Sequence, residues 1–502
     1  MPPILLTGRD LTIYDVIEVA RERRAVELDP GAVARMRTSR GVIERLVAEG
    51  ATVYGVTTGF GDLADVRIDP ADTEELQRNL VRSHAAGTGD PLPDDVVRAM
   101  LLLRANALAV GLSGVRPEVV QLLVDMLNAA IHPVVPAHGS LGASGDLAPL
   151  AHIGLVLIGE GSASVGGADP QPGGPALDSA GLAPVTLAAK EGLALLNGTQ
   201  LMAGTGALAH HDAMRLARTA DVVGAMSLEA MLGTATAFDE ELVAARPHPG
   251  QVEVARHLRA LLAGSEIGAS HADSPHRVQD AYSLRCMPQV HGSARDALGE
   301  LERVLLVEMN AATDNPLVLR SGEVVSGGNF HGEPLALALD YATMAVAELA
   351  SISERRSARL VDAHLSGLPA FLAERPGVES GLMIAHYTAA ALVNELQTLA
   401  HPSSVDTIPT SANQEDHVSM GATSALHLRQ ALDRAERVIA IEALCAAQGL
   451  DFRAPMRPGA GVASAHDRIR SEILHVAVDR PPAADITRMH RLVRDGALLA
   501  DV

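Results

Sequence analysis

The chain has 502 residues, 47% hydrophobic and 20% charged, long enough to bury a large core. Its formal net charge of -21 argues against nucleic-acid and anionic-membrane partners, whose binding rests on Lys and Arg. Aromatic residues are only 2%, five Phe and five Tyr with no Trp, so each is either a large core filler or a candidate for a special task.

The N-terminal segment from Met1 to Asp10 has no basic start and too short an apolar run for a signal peptide, so a cytoplasmic protein is expected. Residues 11–49 predict two helices, the second opened by Asp29-Pro30 and stopped by Gly50. The β-branched run Ala51–Val56 predicts a short strand leading into the glycine loop Thr57–Gly61. Tyr54 there fits either a half-buried strand tyrosine or a group carried on a closing loop. Asp69-Pro70 opens a helix to about Ala86; His84 near its end reads, taken alone, as a structural histidine. Helices follow at about 92–112 and 116–131.

The run Gly142-Ala143-Ser144-Gly145-Asp146 comes next, and two readings of it stand open. Ser and Asp cap helices well, so it fits an N-cap turn. Glycine also permits a backbone so compressed that the Gly145 nitrogen meets the Ala143 carbonyl carbon, and ring closure with loss of water would leave an electrophile. Asp146–Glu160 predicts a helix, placing Ser144 at its positive end. Gly161–Leu182 reads as a surface excursion. Asn197 precedes Gly198 and by itself is an Asn-Gly turn. A long Ala-rich helix to about Leu232 carries His210-His211-Asp212, neighbours that face apart; with no His-Glu-x-x-His or paired-Cys spacing, no metal is expected.

Within Gln279–Gly292, Arg285 can grip a carboxylate with two hydrogen bonds. The two cysteines, Cys286 and Cys445, suggest a reducing compartment and no disulfide framework. A helix to about Ala312 is broken by Asp314-Asn315-Pro316, and a hairpin is predicted around Ser321-Gly322. Phe330 and His331 follow. Residues 332–358 and 378–400 predict apolar helices; the run Leu335–Ile352 is interrupted by Asp340 and Glu348, so no membrane span is expected. Met383 alone reads as a flexible core filler. In Pro409–Met420, the Glu415 carboxylate can accept a hydrogen bond from an imidazole N–H, whereas a phenyl ring would leave it unpaired. Helices around 415–447 and 466–500 close the chain.

The fourteen residues Gly139–His152, Gly-Ser-Leu-Gly-Ala-Ser-Gly-Asp-Leu-Ala-Pro-Leu-Ala-His, resemble the signature of the aromatic amino-acid ammonia-lyases. The segments around Tyr54, Asn197, Arg285 and Glu415 extend that resemblance over nearly the whole chain. It implies a mainly α fold, a long-helix bundle with a small mixed N-terminal region. A region 1–110 would carry Tyr54 and His84, and 111–502 the rest, as one compact unit without a flexible linker. It implies that Ala143, Ser144 and Gly145 become the prosthetic group methylidene-imidazolone (MIO), with Tyr54 as base, Asn197 beside the ring or amine, and Tyr282 and Glu415 among the catalytic residues. Arg285, Gln279, His84, Phe330, Met383 and Glu415 would bind substrate in a homotetramer whose subunits share active sites.

The Ser83-His84 pair, His331, Met383 and Glu415 resemble the histidine-specific members, implying deamination of L-histidine to trans-urocanate. The alternatives are a tyrosine or phenylalanine lyase, or a 2,3-aminomutase, with the same electrophile. A non-catalytic helical assembly protein is the rival from another class. Met287, His291 and the stretch Asn394–Gln397 depart from the histidine-type pattern and leave the fine shape of the pocket open.

Overall fold

The computed structural model describes residues 2–59, 68–272 and 278–499; Phe60 and Gly61 of the expected glycine loop lie outside them. Among the described residues the chain is mainly α. Helix starts follow capping chemistry. The Thr12 hydroxyl accepts from the Asp15 amide ahead of Ile13–Ala20, and Asp29 accepts from the Ala32 amide ahead of Pro30–Ala48. Pro30 occupies the first turn, where an amide donor has no helical partner anyway.

Some segments differ from expectation, each for a local reason. Residues 51–57 turn instead of forming a strand: Thr57 Oγ1 donates to the Ala51 carbonyl at 2.6 Å and accepts from the Val53 amide at 2.9 Å, closing the segment on itself. The helix expected from Glu415 begins at Gly421, because the residues before it make a separate turn. The last expected helix is two, Ala460–Arg470 and Ala483–Arg494; Pro481-Pro482 between them cannot continue a helical ladder. The predicted hairpin is present, Leu317–Val318 pairing antiparallel with Val324–Val325.

Contacts divide the chain into two compact units. The first comprises residues 1–211, 301–340 and 402–426; the second comprises 212–300, 341–401 and 427–502. In the first, helix Asp94–Ala109 is buried at every residue from Val96 onward and packs against Ile13–Ala20 and Pro117–Asn128. Three further helices of this unit, Thr73–His84, Leu147–Leu157 and Glu191–Leu196, all pack on one another. That triangle positions the site: His84 ends the first, the Ala-Ser-Gly triplet leads into the second, and Asn197 caps the third. Small sheets surround it, including the antiparallel set Ile131–Pro133, Ser162–Val165 and Gln171–Pro172.

The second unit holds most of the length of the 31-residue helices Gln200–Ala230 and Gly421–Asp451. Cys286 and Cys445 are free thiols. Helix Glu333–Val361 is long and apolar enough to cross a membrane, yet 72% of its most apolar window is buried within the protein, as in a core helix.

Candidate active site

A cavity of about 840 Å³ in the first unit is lined by Tyr54, His84, Ala143, Ser144, Asn197, Phe330 and Glu415, among others. Six of the expected catalytic or substrate-binding residues, contributed by six separate chain segments, therefore meet in one place. At its centre the Ser144 hydroxyl donates to Glu415 Oε1 at 2.7 Å. Asn197 Nδ2 donates to the Ser144 carbonyl oxygen, also at 2.7 Å.

The backbone of the triplet is tightly held. Gly145 takes φ +73°, and a Cβ built there would stand 2.2 Å from the Gly198 carbonyl oxygen, so no other residue fits. The next amide, of Asp146, donates to that same Gly198 oxygen at 2.6 Å. On the other side, the Gly142 carbonyl accepts from the Gly332 amide at 3.2 Å and from the Ser419 hydroxyl at 3.1 Å. Asp146 does not cap its own helix. Its Oδ2 accepts from the amides of Leu201 and Met202 at 2.8 and 3.1 Å, the first turn of the next long helix, where an acidic group is favoured. Burial pushes the Asp146 carboxyl up to about 6, against hydrogen bonds from Ser140, Met202 and Leu201 that pull it down.

Asn197 is fixed from behind by Arg104, which is fully buried. Its guanidinium donates to the Asn197 carbonyl at 3.0 Å, to Gln200 Oε1 at 2.9 Å and to the Ala194 carbonyl. These bonds satisfy the carbonyls that helix Glu191–Leu196 leaves open at its end. Burial lowers the Arg104 pKa to about 10. The Phe330 loop is set by Asn315, whose Oδ1 accepts from the Gly327 amide at 2.7 Å. Beneath Asn315, Lys190 and Asp314 form a buried ion pair at 2.6 Å.

Glu415 is held by a device that the sequence did not reveal. Thr410 Oγ1 donates to its second carboxylate oxygen, Oε2, at 2.7 Å, and the two backbones exchange hydrogen bonds of 3.0 and 3.3 Å. Closing this turn puts Ser411, Ala412 and Asn413 at φ +51°, +54° and +66°. Three consecutive non-glycine residues in the left-handed region cost about 1–2 kcal/mol each, and strain of that kind persists where the surroundings over-determine a functional geometry.

His84 Nδ1 lies 2.9 Å from the Leu80 carbonyl, to which it donates, leaving Nε2 as an acceptor. Burial lowers the His84 pKa, partly offset by the Leu80 carbonyl and the Glu415 charge, so the ring is neutral near pH 7. Other lining residues that sequence reasoning did not place in the site are Gln414, Asp416 and His417. His331, matched by family pattern alone, lines it too; its ring lies 3.1 Å from the His417 carbonyl and accepts from the Glu333 amide at 3.3 Å, which fixes the Nε2–H tautomer.

The remaining expected residues belong to the second unit. Tyr282 is 71% exposed and lines a different cavity, of about 790 Å³, with Arg355, Arg359 and His386. The Arg285 guanidinium stacks over the Tyr282 ring at 4.6 Å. Gln279 is exposed and Met383 partly buried at the start of helix Met383–Leu399. The two departures near Arg285 are core residues: Met287 and His291 are both fully buried. His291 Nδ1 binds Asp221 at 2.7 Å, and its Nε2 accepts from Arg356 at 3.3 Å. Asn394 and Gln397 are exposed.

The family profile for aromatic amino acid lyases matches residues 11–471, and the chain belongs to that family. It is a carbon–nitrogen lyase with the family's long-helix bundle. Histidine ammonia-lyase of Anaeromyxobacter dehalogenans is 56% identical over 99% of this chain and 100% of its own length. The structure of histidine ammonia-lyase from Trypanosoma cruzi superimposes with a TM-score of 0.92 at 44% identity, covering 99% of this chain and 94% of that one. Tyrosine aminomutase from Streptomyces globisporus gives a TM-score of 0.95 at 37% identity, covering 100% and 99%.

Proposed function

We propose that this enzyme deaminates L-histidine to trans-urocanate and ammonia, by means of methylidene-imidazolone formed from Ala143-Ser144-Gly145, as a cytoplasmic homotetramer. The observation that carries the reading is the Ser144 hydroxyl on Glu415 in a cavity that also holds Tyr54, His84 and Asn197. The triplet fits such a group. Its backbone is compressed against Gly198 where no side chain is admitted, and its carbonyl oxygen already has a donor in Asn197. Once formed, the group supplies an electrophile that no standard side chain offers.

The chain's own residues do the rest. Glu415 accepts the imidazole N–H of the substrate, and the neutral His84 adds a polar edge without a competing charge. A site built to accept that N–H rejects a phenyl ring by about 10⁴–10⁵, since the carboxylate would be left unpaired. Tyr54 takes the β-proton, and Asn197 holds the triplet's oxygen. Phe330 packs at the cavity wall. Arg285 would hold the substrate carboxylate, with Tyr282, Gln279 and Met383 beside it, brought to the cavity in the assembled homotetramer. Support for assembly comes from Leu337, Tyr341 and Met344, exposed at 55%, 48% and 39% and spaced as one stripe on helix Glu333–Val361.

The test is an ultraviolet assay with L-histidine, L-tyrosine and L-phenylalanine in separate cuvettes, with Ser144→Ala beside each. Urocanate from histidine alone, reduced at least about 10³-fold in the variant, is expected. Cinnamate or coumarate would replace the substrate assignment, and a β-amino acid would make the enzyme an aminomutase. An unmodified triplet with no product would remove the electrophile.

A further inference from the structure

We propose that Glu415 has an earlier task than substrate binding: it is the general acid that expels the Ser144 hydroxyl while the triplet matures. This rests on the methylidene-imidazolone reading above. The observation behind it is the same 2.7 Å contact, seen from the serine's side. Before maturation no substrate is needed to occupy Glu415, and the structure holds its carboxyl group on the side-chain oxygen of the triplet, one of the two oxygens that must depart.

The chemistry requires a donor there. Ring closure joins the Gly145 nitrogen to the Ala143 carbonyl carbon and releases that carbonyl's oxygen as water, with the hydrogens of the Gly145 and Ser144 amides. The second water comes from Ser144 itself. Its Cα–H and Cβ–Oγ bonds break and a Cα–Cβ double bond forms, with no oxidant or reductant involved. Hydroxide is a poor leaving group, so a proton must reach Oγ as the bond breaks. The observed contact has the hydroxyl donating to Oε1; when Glu415 takes up a proton the same 2.7 Å contact runs the other way, Oε1 donating to Oγ. The carboxyl delivers that proton, the water leaves, and the carboxylate is reprotonated from solvent, which has received the Cα proton. A positioned proton donor accelerates such a step by about 10²–10⁴-fold.

The surroundings hold the donor in register. Thr410 Oγ1 binds the other carboxylate oxygen at 2.7 Å, and the left-handed turn at 411–413 keeps Thr410 opposite Glu415. Asn197, on the Ser144 carbonyl, keeps the triplet from rotating away. After the hydroxyl has gone, Oε1 has lost this partner and is free to accept from substrate, so one carboxyl group serves twice in sequence.

The experiment measures maturation by mass, not turnover. Wild type, Glu415→Gln and Thr410→Val are produced as full chains and sampled over time after induction. The Ser144-containing peptide is weighed for loss of two waters, and circular dichroism and unfolding temperature report folding. Gln keeps the shape and an acceptor oxygen but has no acid proton. Its mass loss is expected to slow by about 10²-fold or more. Thr410→Val, which frees the carboxyl without touching the triplet, is expected to slow about tenfold, and it decides the matter if Glu415→Gln does not fold. Wild-type maturation rates in the folded variants would overturn the inference while leaving the electrophile intact. A wild-type protein with no mass loss would instead sink the electrophile reading and this inference with it.

Discussion

Around Ser144, the side chains of Ser144, Glu415, His84 and Tyr54 remain partly exposed in a cavity. In the second unit, polar groups close on each other out of reach of water. Arg356 grips Glu442 through two bonds of 2.5 and 2.9 Å, Ser227 donates to the same carboxylate at 2.6 Å, and neither Arg356 nor Glu442 has any exposed side-chain surface. Asp221 is likewise saturated by His257, His291 and Arg295 at 2.8, 2.7 and 2.5 Å. Burial raises the Asp221 carboxyl, but these donors outweigh it and bring it down to about 2. A saturated network has nothing left to offer a ligand, whereas a partly satisfied one beside a cavity does. The first kind of cluster should therefore govern stability, and the second chemistry.

The largest expected effect tests the saturated side. Glu442→Gln leaves the Arg356 charge buried without its counter-ion, and removing one partner of such a pair costs about 3–5 kcal/mol. The unfolding midpoint should fall accordingly, while the fraction that stays folded keeps its kcat/KM. A loss of rate with unchanged stability would break the comparison. Asn197→Ala tests the other side. It removes the donor from the Ser144 oxygen and is expected to lower kcat by about 10²–10³-fold, some 2.7–4 kcal/mol. Loss of the hydrogen bond itself should move folding stability by only about 1 kcal/mol. The rate is read on material weighed to confirm that two waters have been lost.

How much of this was visible in the sequence depends on how local each feature is. The triplet, Asn197 and Glu415 lie in contiguous motifs, so their chemistry could be read from neighbouring residues. Thr410 lies inside the Pro409–Met420 motif, yet its partner is not legible there. Its hydroxyl reaches Glu415 only through a left-handed turn over Ser-Ala-Asn, a stretch with no glycine to signal positive φ. The strand expected at 51–56 failed because β-branched propensity was outweighed by one side chain, Thr57, bonding back to residues 51 and 53. The break at Pro481-Pro482, by contrast, is legible in the dipeptide itself. Arg285, Tyr282 and Met383 show a different limit: a motif does not say which compact unit carries its residues. His291 reads as a departure within a pocket motif, yet the structure makes it a core ligand of Asp221.

The smallest expected effect probes a buried acid that stands between the two patterns. Glu229 is 2% exposed in the second unit; its carboxylate accepts from the Gly459 amide at 3.0 and 3.1 Å, with no cation bonded to it among the described residues. Burial therefore prevails over the hydrogen bonds from Ser265 and Gly459 and pushes its pKa from 4.5 up to about 7. Between those values the folded chain keeps a proton that the unfolded chain has released, so stability falls as pH rises through the window. At 1.36 kcal/mol per unit the loss from this group amounts to at most about 3 kcal/mol by pH 8. Glu229→Gln keeps an oxygen for Gly459 and cannot ionise. Denaturant unfolding at pH 5 and pH 8 should thus show the variant losing less stability than wild type over that interval. Equal slopes would mean that Glu229 is satisfied as an anion, and that the saturated pattern extends through this part of the second unit as well.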